Sequence, residues 1–205
     1  ALALGLVYGA GFCYRGKGPV ALLVKTGSTA LLALWAYLAG GPVLLVAGLA
    51  LSSAGDAFLA LEGERWLKPG MAAFFLAHVA YVALFWGLEA APRDILNTSA
   101  QLVLVLAGAG FARWLSPWLG DMRWPVFAYT AVILMMGAAA LRLDPFYWPV
   151  TVGAIMFIAS DMILSLQLFR KPADQPVGTI SSLGVWTLYF GGQALIAWGM
   201  LNALA

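Results

Sequence analysis

Charged residues and Pro/Gly pairs cut this 205-residue chain into about eight apolar stretches, most of them near the roughly 20 residues a helix needs to cross a bilayer. The stretches fall at 1–14, 20–38, 43–61, 70–88, 95–115, 125–141, 150–169 and 182–204. A chain patterned in this way must satisfy its backbone polar groups within each segment, which predicts an all-α, polytopic transmembrane bundle of about eight helices. The spans run from end to end, so residues 1–205 are expected to form one transmembrane domain. Pro42, Pro69, Pro125 and Pro149 stand where helices should begin, because proline is tolerated in a first turn and not in an interior. The first stretch rises only about 21 Å and lacks an initiator methionine, which predicts an incomplete N-terminus.

Composition removes the other classes. With 63% hydrophobic and 10% charged residues, the chain can neither cover a soluble globule nor remain disordered. The net charge of +2 is spread over single residues, so no basic run is available for nucleic acid. One cysteine, Cys13, allows no internal disulfide, and a single histidine leaves no metal centre; no metal and no cofactor are expected.

The loops differ in charge. Arg15, Lys17, Arg65, Lys68, Arg113, Arg123, Arg170 and Lys171 fall on one side, and Arg93 and Arg142 on the other. The positive-inside rule makes the first side cytoplasmic and both termini non-cytoplasmic. Every connection is short, so any chemistry belongs within the membrane or at its face.

Four ionisable groups interrupt the apolar spans: Lys25, Asp56, His78 and Asp161, each in a different helix. A charge at the bilayer centre costs about 2.5–3.5 kcal/mol on insertion scales, so the set needs a reason. The structural reading pairs Lys25 with an aspartate and bonds His78 to a backbone carbonyl. The functional reading rests on depth. Each group lies about one and a half to two and a half turns from the predicted cytoplasmic end of its helix. Ser52, Ser53, Tyr81, Tyr129, Ser160 and Gln193 lie in the same half, whereas the outer half offers Tyr37, Thr98, Gln101 and little else. This asymmetry predicts a polar pocket in the cytoplasmic half above an apolar floor. The Gly5/Gly9 spacing and Gly191-Gly192 read as close-packing positions, most tryptophans as interfacial anchors, and the methionines as core filling.

Two stretches carry a family resemblance. Ser53-Ala-Gly-Asp56-Ala-Phe-Leu59 precedes Gly70-Met-Ala-Ala-Phe74-Phe-Leu-Ala-His78-Val-Ala-Tyr81, and Gly153-Ala-Ile-Met-Phe157-Ile-Ala-Ser160-Asp161-Met-Ile-Leu164 follows later. Together with Lys25, Tyr129, Tyr189 and Gln193, they resemble the YhhN-like family of integral membrane proteins, whose characterised members are lysoplasmalogenases. Lys25 is followed by Thr26 where relatives often carry proline. The resemblance implies hydrolysis of the vinyl ether of a lysoplasmalogen, with a lysophospholipid and water as substrates and membrane lipid as surroundings. A fatty aldehyde and glycerophosphocholine or glycerophosphoethanolamine would be the products.

The residues suit that chemistry. Protonation of an enol ether at carbon gives an oxocarbenium ion that water captures, so one acid and one base suffice, as in glycoside hydrolases. Asp56 and Asp161 are the expected catalytic pair, with acid and base left unassigned. His78 and Tyr81 are expected to position the water or one carboxylate, and Lys25 to pair with Asp56 or meet the substrate phosphate. Tyr129 and Tyr189 are further positioning candidates, and Ser160 and Gln193 supporting hydrogen-bonders. Two other readings compete. An intramembrane aspartyl protease shares Gly55-Asp56 but would need a tyrosine where Ser160 stands. A carrier or receptor for a lipid or proton-coupled solute would also bury Asp, His and Lys.

Overall fold

The computed structural model describes residues 1–13, 18–92, 94–171, 175 and 178–203. They form α1 (Leu2–Gly11), α2 (Pro19–Leu38), α3 (Val43–Ala60), α4 (Leu67–Trp86), α5 (Ile95–Leu115), α6 (Arg123–Leu141), α7 (Trp148–Phe169) and α8 (Thr179–Asn202). The helices α2 to α8 are long and apolar enough to cross a membrane, and α1 is shorter. The chain is a multi-pass integral membrane protein.

The span limits follow the sequence reading closely, and α5 occupies its expected 95–115, capped where Asp94 Oδ1 accepts the Asn97 N–H at 2.6 Å. The helices α4, α6, α7 and α8 begin earlier than expected, at Leu67, Arg123, Trp148 and Thr179. Pro69, Pro125 and Pro149 therefore sit inside first turns, where a missing N–H breaks no helical bond. Tyr14 and Leu204, expected in the outermost spans, lie outside the described residues, as do Arg15, Lys17 and Arg93 of the charge count.

Successive helices run antiparallel. The helices α2, α3, α4, α6, α7 and α8 each touch the next and α8 returns to α2, so the six enclose a common interior. The short α1 packs against α2 and α8, and α5 lies outside the ring on α6. Arg170, at the end of α7, lies over the rings of Trp114 and Trp118 at 4.7 and 4.6 Å, fastening the end of α5 to that of α7.

Glycine sets how closely the helices approach. A Cβ on Gly153 of α7 would come within 2.6 Å of the Gly192 carbonyl oxygen of α8, and one on Gly192 within 2.7 Å of the Gly153 oxygen. Backbone thus meets backbone, as expected for association in lipid, where dispersion contacts replace hydrophobic driving force. Elsewhere glycine makes room for a ring: Gly48 and Gly55 of α3 lie under Tyr81 and Phe74 of α4, and Gly5 and Gly9 of α1 under Phe190 and Trp186 of α8. The Gly5/Gly9 pair and Gly192 are the close-packing positions the sequence indicated.

The α7/α8 contact yields a first prediction. Gly153→Ala must push α8 backbone away, an overpacking cost of about 1–3 kcal/mol. Thermal unfolding in detergent should show a lowered Tm for Gly153→Ala, while Gly184→Ala, where a Cβ meets nothing within 4 Å, leaves it unchanged or slightly raised.

Candidate active site

Inside the ring lies a cavity of about 1210 Å³, reached from the end where α3, α5 and α7 finish and α4, α6 and α8 begin. Arg65, Lys68, Arg113, Arg123, Arg170 and Lys171 belong to that end, and Arg142 to the opposite one. There Arg142 Nη2 donates to the carbonyls of Phe85, Trp86 and Leu88 and closes the C-terminus of α4.

The charged residues on the cavity wall form two tiers. Glu64, Lys68 and Asp121 stand at the mouth, exposed, while Lys25, Asp56 and Asp161 lie inside. Asp56, four residues before the end of α3, is 1% exposed. Its Oδ1 is 3.0 Å from Lys25 Nζ on α2, and its Oδ2 accepts Thr29 Oγ1 of α2 at 2.9 Å and the Tyr189 hydroxyl of α8 at 2.6 Å. One carboxylate thus ties three helices together and has its negative charge matched by a cation and two hydroxyl donors.

Asp161 has a different setting. It is partly open to the cavity, and its Oδ2 accepts the Tyr129 hydroxyl of α6 at 2.5 Å. Among the described residues no cation pairs with it directly, although Asp56 and Lys25 are near enough to act on it electrostatically. The two carboxyl groups therefore face one cavity from α3 and α7 with unequal partners.

Ser160, also on the wall, donates to the Val185 carbonyl at 2.9 Å and pins α7 to α8. His78 and Tyr81, expected to position the water or one carboxylate, do not reach the wall, and neither does Gln193, expected as a supporting hydrogen-bonder. The Tyr81 hydroxyl donates to Gln193 Oε1 at 2.6 Å, and Gln193 Nε2 to Ser52 Oγ at 2.8 Å, a buried polar layer one helical turn beyond Asp56. His78 Nδ1 donates to the Phe74 carbonyl at 2.5 Å, and its ring packs on Phe157 and Tyr129 with centroids 4.7 and 5.3 Å away. Its Nε2 is buried without a hydrogen-bond partner among the described residues. Between this layer and the cavity stand Phe74, Phe157 and Tyr189, in mutual edge contact at 5.2–6.2 Å, which form the apolar floor.

The sequence reading missed three residues that help build the site. Thr29 lies one turn after Lys25 on the same face of α2, a spacing that could have revealed it. Tyr8 of α1 lines the cavity against Trp186, with ring centroids 4.4 Å apart, and Trp186 Nε1 donates to the Gly5 carbonyl at 2.9 Å.

The YhhN family pattern matches residues 20–200. The chain belongs to the YhhN family. Among its relatives, lysoplasmalogenase TMEM86A of Bos taurus is 30% identical over 158 residues, which are 73% of this chain and 62% of the relative. Human lysoplasmalogenase TMEM86B is 30% identical over 162 residues, 78% of this chain and 64% of the relative. The chain thus spans less than two thirds of the length of these curated relatives. No solved structure matches it. The two carboxyl groups and their direct partners, namely Lys25, Thr29, Asp56, Tyr129, Asp161 and Tyr189, all fall within the YhhN match, whereas Tyr8 precedes it.

The ion pair gives a second prediction. Lys25→Met leaves Asp56 buried without its cation and should destabilise the fold by about 3–5 kcal/mol. Adding Asp56→Asn should recover much of that loss, and a double-mutant cycle on unfolding in detergent measures the coupling.

Proposed function

We propose that this chain hydrolyses the vinyl ether bond of a lysoplasmalogen, releasing a fatty aldehyde and glycerophosphocholine or glycerophosphoethanolamine. The observation that carries this reading is the pair of carboxyl groups facing one intramembrane cavity with unequal partners. Family membership and the names of the two relatives support it. The distribution of Lys and Arg further supports a cytoplasmic mouth, with both termini on the other side. We read residues 1–205 as a single transmembrane domain.

The unequal partners divide the labour. Asp56, matched by Lys25, Thr29 and Tyr189, is the group that stays ionised. Asp161, held at Oδ2 by Tyr129 and lacking a direct cation, carries the proton on its other oxygen. That proton passes to the alkene carbon remote from the ether oxygen, and an oxocarbenium ion forms between the carboxylates. Asp56 stabilises the cation, and Asp161, now ionised, accepts a proton from the attacking water. The resulting hemiacetal collapses: its C–O bond to glycerol breaks, the hydroxyl proton moves to the departing oxygen, and the aldehyde leaves. Asp161 ends as it began.

Tyr129 and Tyr189 position the two carboxyl groups, and Ser160 fixes α7 where Asp161 projects. His78, Tyr81 and Gln193 act from behind the floor by holding Phe74 and α8 in place. Water and a lysophospholipid are the only reactants, and membrane lipid surrounds the protein.

Aldehyde release by the purified chain from a lyso vinyl-ether phospholipid tests this reading. Asp161→Asn and Asp56→Asn should each lower turnover by about 10²- to 10⁴-fold, with Tyr129→Phe losing less. Wild-type turnover in either folded aspartate variant would overturn the mechanism. Uptake of intact lipid without aldehyde would replace the hydrolase with a carrier.

A further inference from the structure

The cavity is not symmetric about its carboxyl groups. On α2, α3 and α8 the wall goes no deeper than Lys25, Asp56 and Tyr189. On the α5, α6 and α7 side it continues past Tyr129 and Asp161 along Thr130, Ile133, Leu134, Ile158 and Gly108. Leu134 lies five residues beyond Tyr129, a rise of about 7 Å, and Ile158 lies three residues beyond Asp161, about 4–5 Å. Apart from the Thr130 hydroxyl, the side chains of this arm are apolar. Directly above the carboxylates the aromatic floor and the Tyr81–Gln193–Ser52 layer block any deeper path.

Three chemistries therefore follow one another from the mouth inward: a charged tier of both signs, a carboxyl tier and an apolar arm. A lysophospholipid with a vinyl ether presents its groups in the same order: zwitterionic headgroup, ether, alkyl chain. The lengths agree. Nine bonds separate the ether oxygen from the headgroup nitrogen, the reach of three extended residues or about 10 Å. The carboxyl tier stands about as far from the mouth, since Tyr129 is six residues and about 9 Å along α6 from Arg123.

Resting on the vinyl ether reading above, we propose that the substrate lies with its headgroup at the tier of Glu64, Lys68 and Asp121 and its alkyl chain in the α5/α6/α7 arm, where Thr130 and Leu134 limit the chain length that fits. The arm is an apolar subsite for a linear hydrocarbon. Its outer wall, α5, belongs to the periphery of the bundle, and Leu134 covers Gly108 there: a Cβ on Gly108 would meet the Leu134 side chain at 2.4 Å. A larger residue at position 130 fills the entrance of the arm, and a smaller one at 134 extends it.

The test uses the full chain in detergent with lyso vinyl-ether phosphoethanolamines of graded alkyl length. Quenching of tryptophan fluorescence by the saturated 1-alkyl analogues reads binding apart from catalysis. Thr130→Leu should reduce kcat/KM for the longest chain relative to the shortest by about tenfold, the equivalent of two methylenes displaced from an apolar site. Leu134→Ala should move the optimum to longer chains. Binding of the saturated analogues should shift in the same directions. Unchanged length profiles in both folded variants would overturn the proposal, as would a wild-type chain that binds no alkyl analogue. Binding with the expected length shifts but no aldehyde from any substrate would uphold the arm and overturn the hydrolase reading instead.

Discussion

A buried ion pair sits at the centre of this bundle. Lys25 and Asp56, 3.0 Å apart in the interior of an apolar protein, are tolerable there only because each compensates the other and two hydroxyl groups complete the carboxylate's shell. The arrangement fixes the register of α2 against α3 and, through Tyr189, that of α8 against both. It also commits the negative charge of Asp56. A second carboxyl group facing the same cavity, without a cation of its own, is left in a different electrostatic position. The proposed division between an ionised stabiliser and a proton donor grows from that inequality.

Small residues make the geometry possible. Gly153 and Gly192 let α7 and α8 touch through their backbones, which carries Asp161 and Tyr189 to the same cavity. Gly48 and Gly55 make room on α3 for Tyr81 of the polar layer and Phe74 of the floor behind the site. In water such contacts would add little to hydrophobic burial, but between lipid-bathed helices close packing and internal hydrogen bonds do most of the work. Polar layers are therefore stacked along the bundle axis: the charged mouth, the carboxyl tier, and beyond the aromatic floor the hydrogen-bonded Tyr81, Gln193 and Ser52.

Much of the fold was legible because charges and prolines end membrane helices abruptly; α5 occupies the interval that its flanking charges mark. Counting depth from helix ends brought out Lys25, Asp56, Tyr129, Ser160 and Asp161, all on the cavity wall. The same count grouped His78, Tyr81 and Gln193 with them, and the structure sets these behind the floor. Depth along an axis carries no information on azimuth, and in helices with apolar residues on nearly every face, periodicity supplies none. Thr29 was passed over because the count followed ionisable groups, although its place one turn after Lys25 puts it on the same face of α2. Tyr8 stands on the short first stretch, which carries no ionisable group within an apolar span to draw attention to it, although that helix closes the wall between α2 and α8.

The central claim is that an acid held by the protein protonates the vinyl ether at carbon, and isotope labelling tests it most directly. Turnover in D₂O, with the aldehyde reduced as it forms, should place one deuterium on the carbon next to the former carbonyl, in a single configuration, because Asp161 delivers it to one face. Turnover in H₂¹⁸O should put the label in the aldehyde oxygen and none in the glycerol product. Aldehyde without carbon-bound deuterium, or with deuterium on both faces equally, would contradict the account.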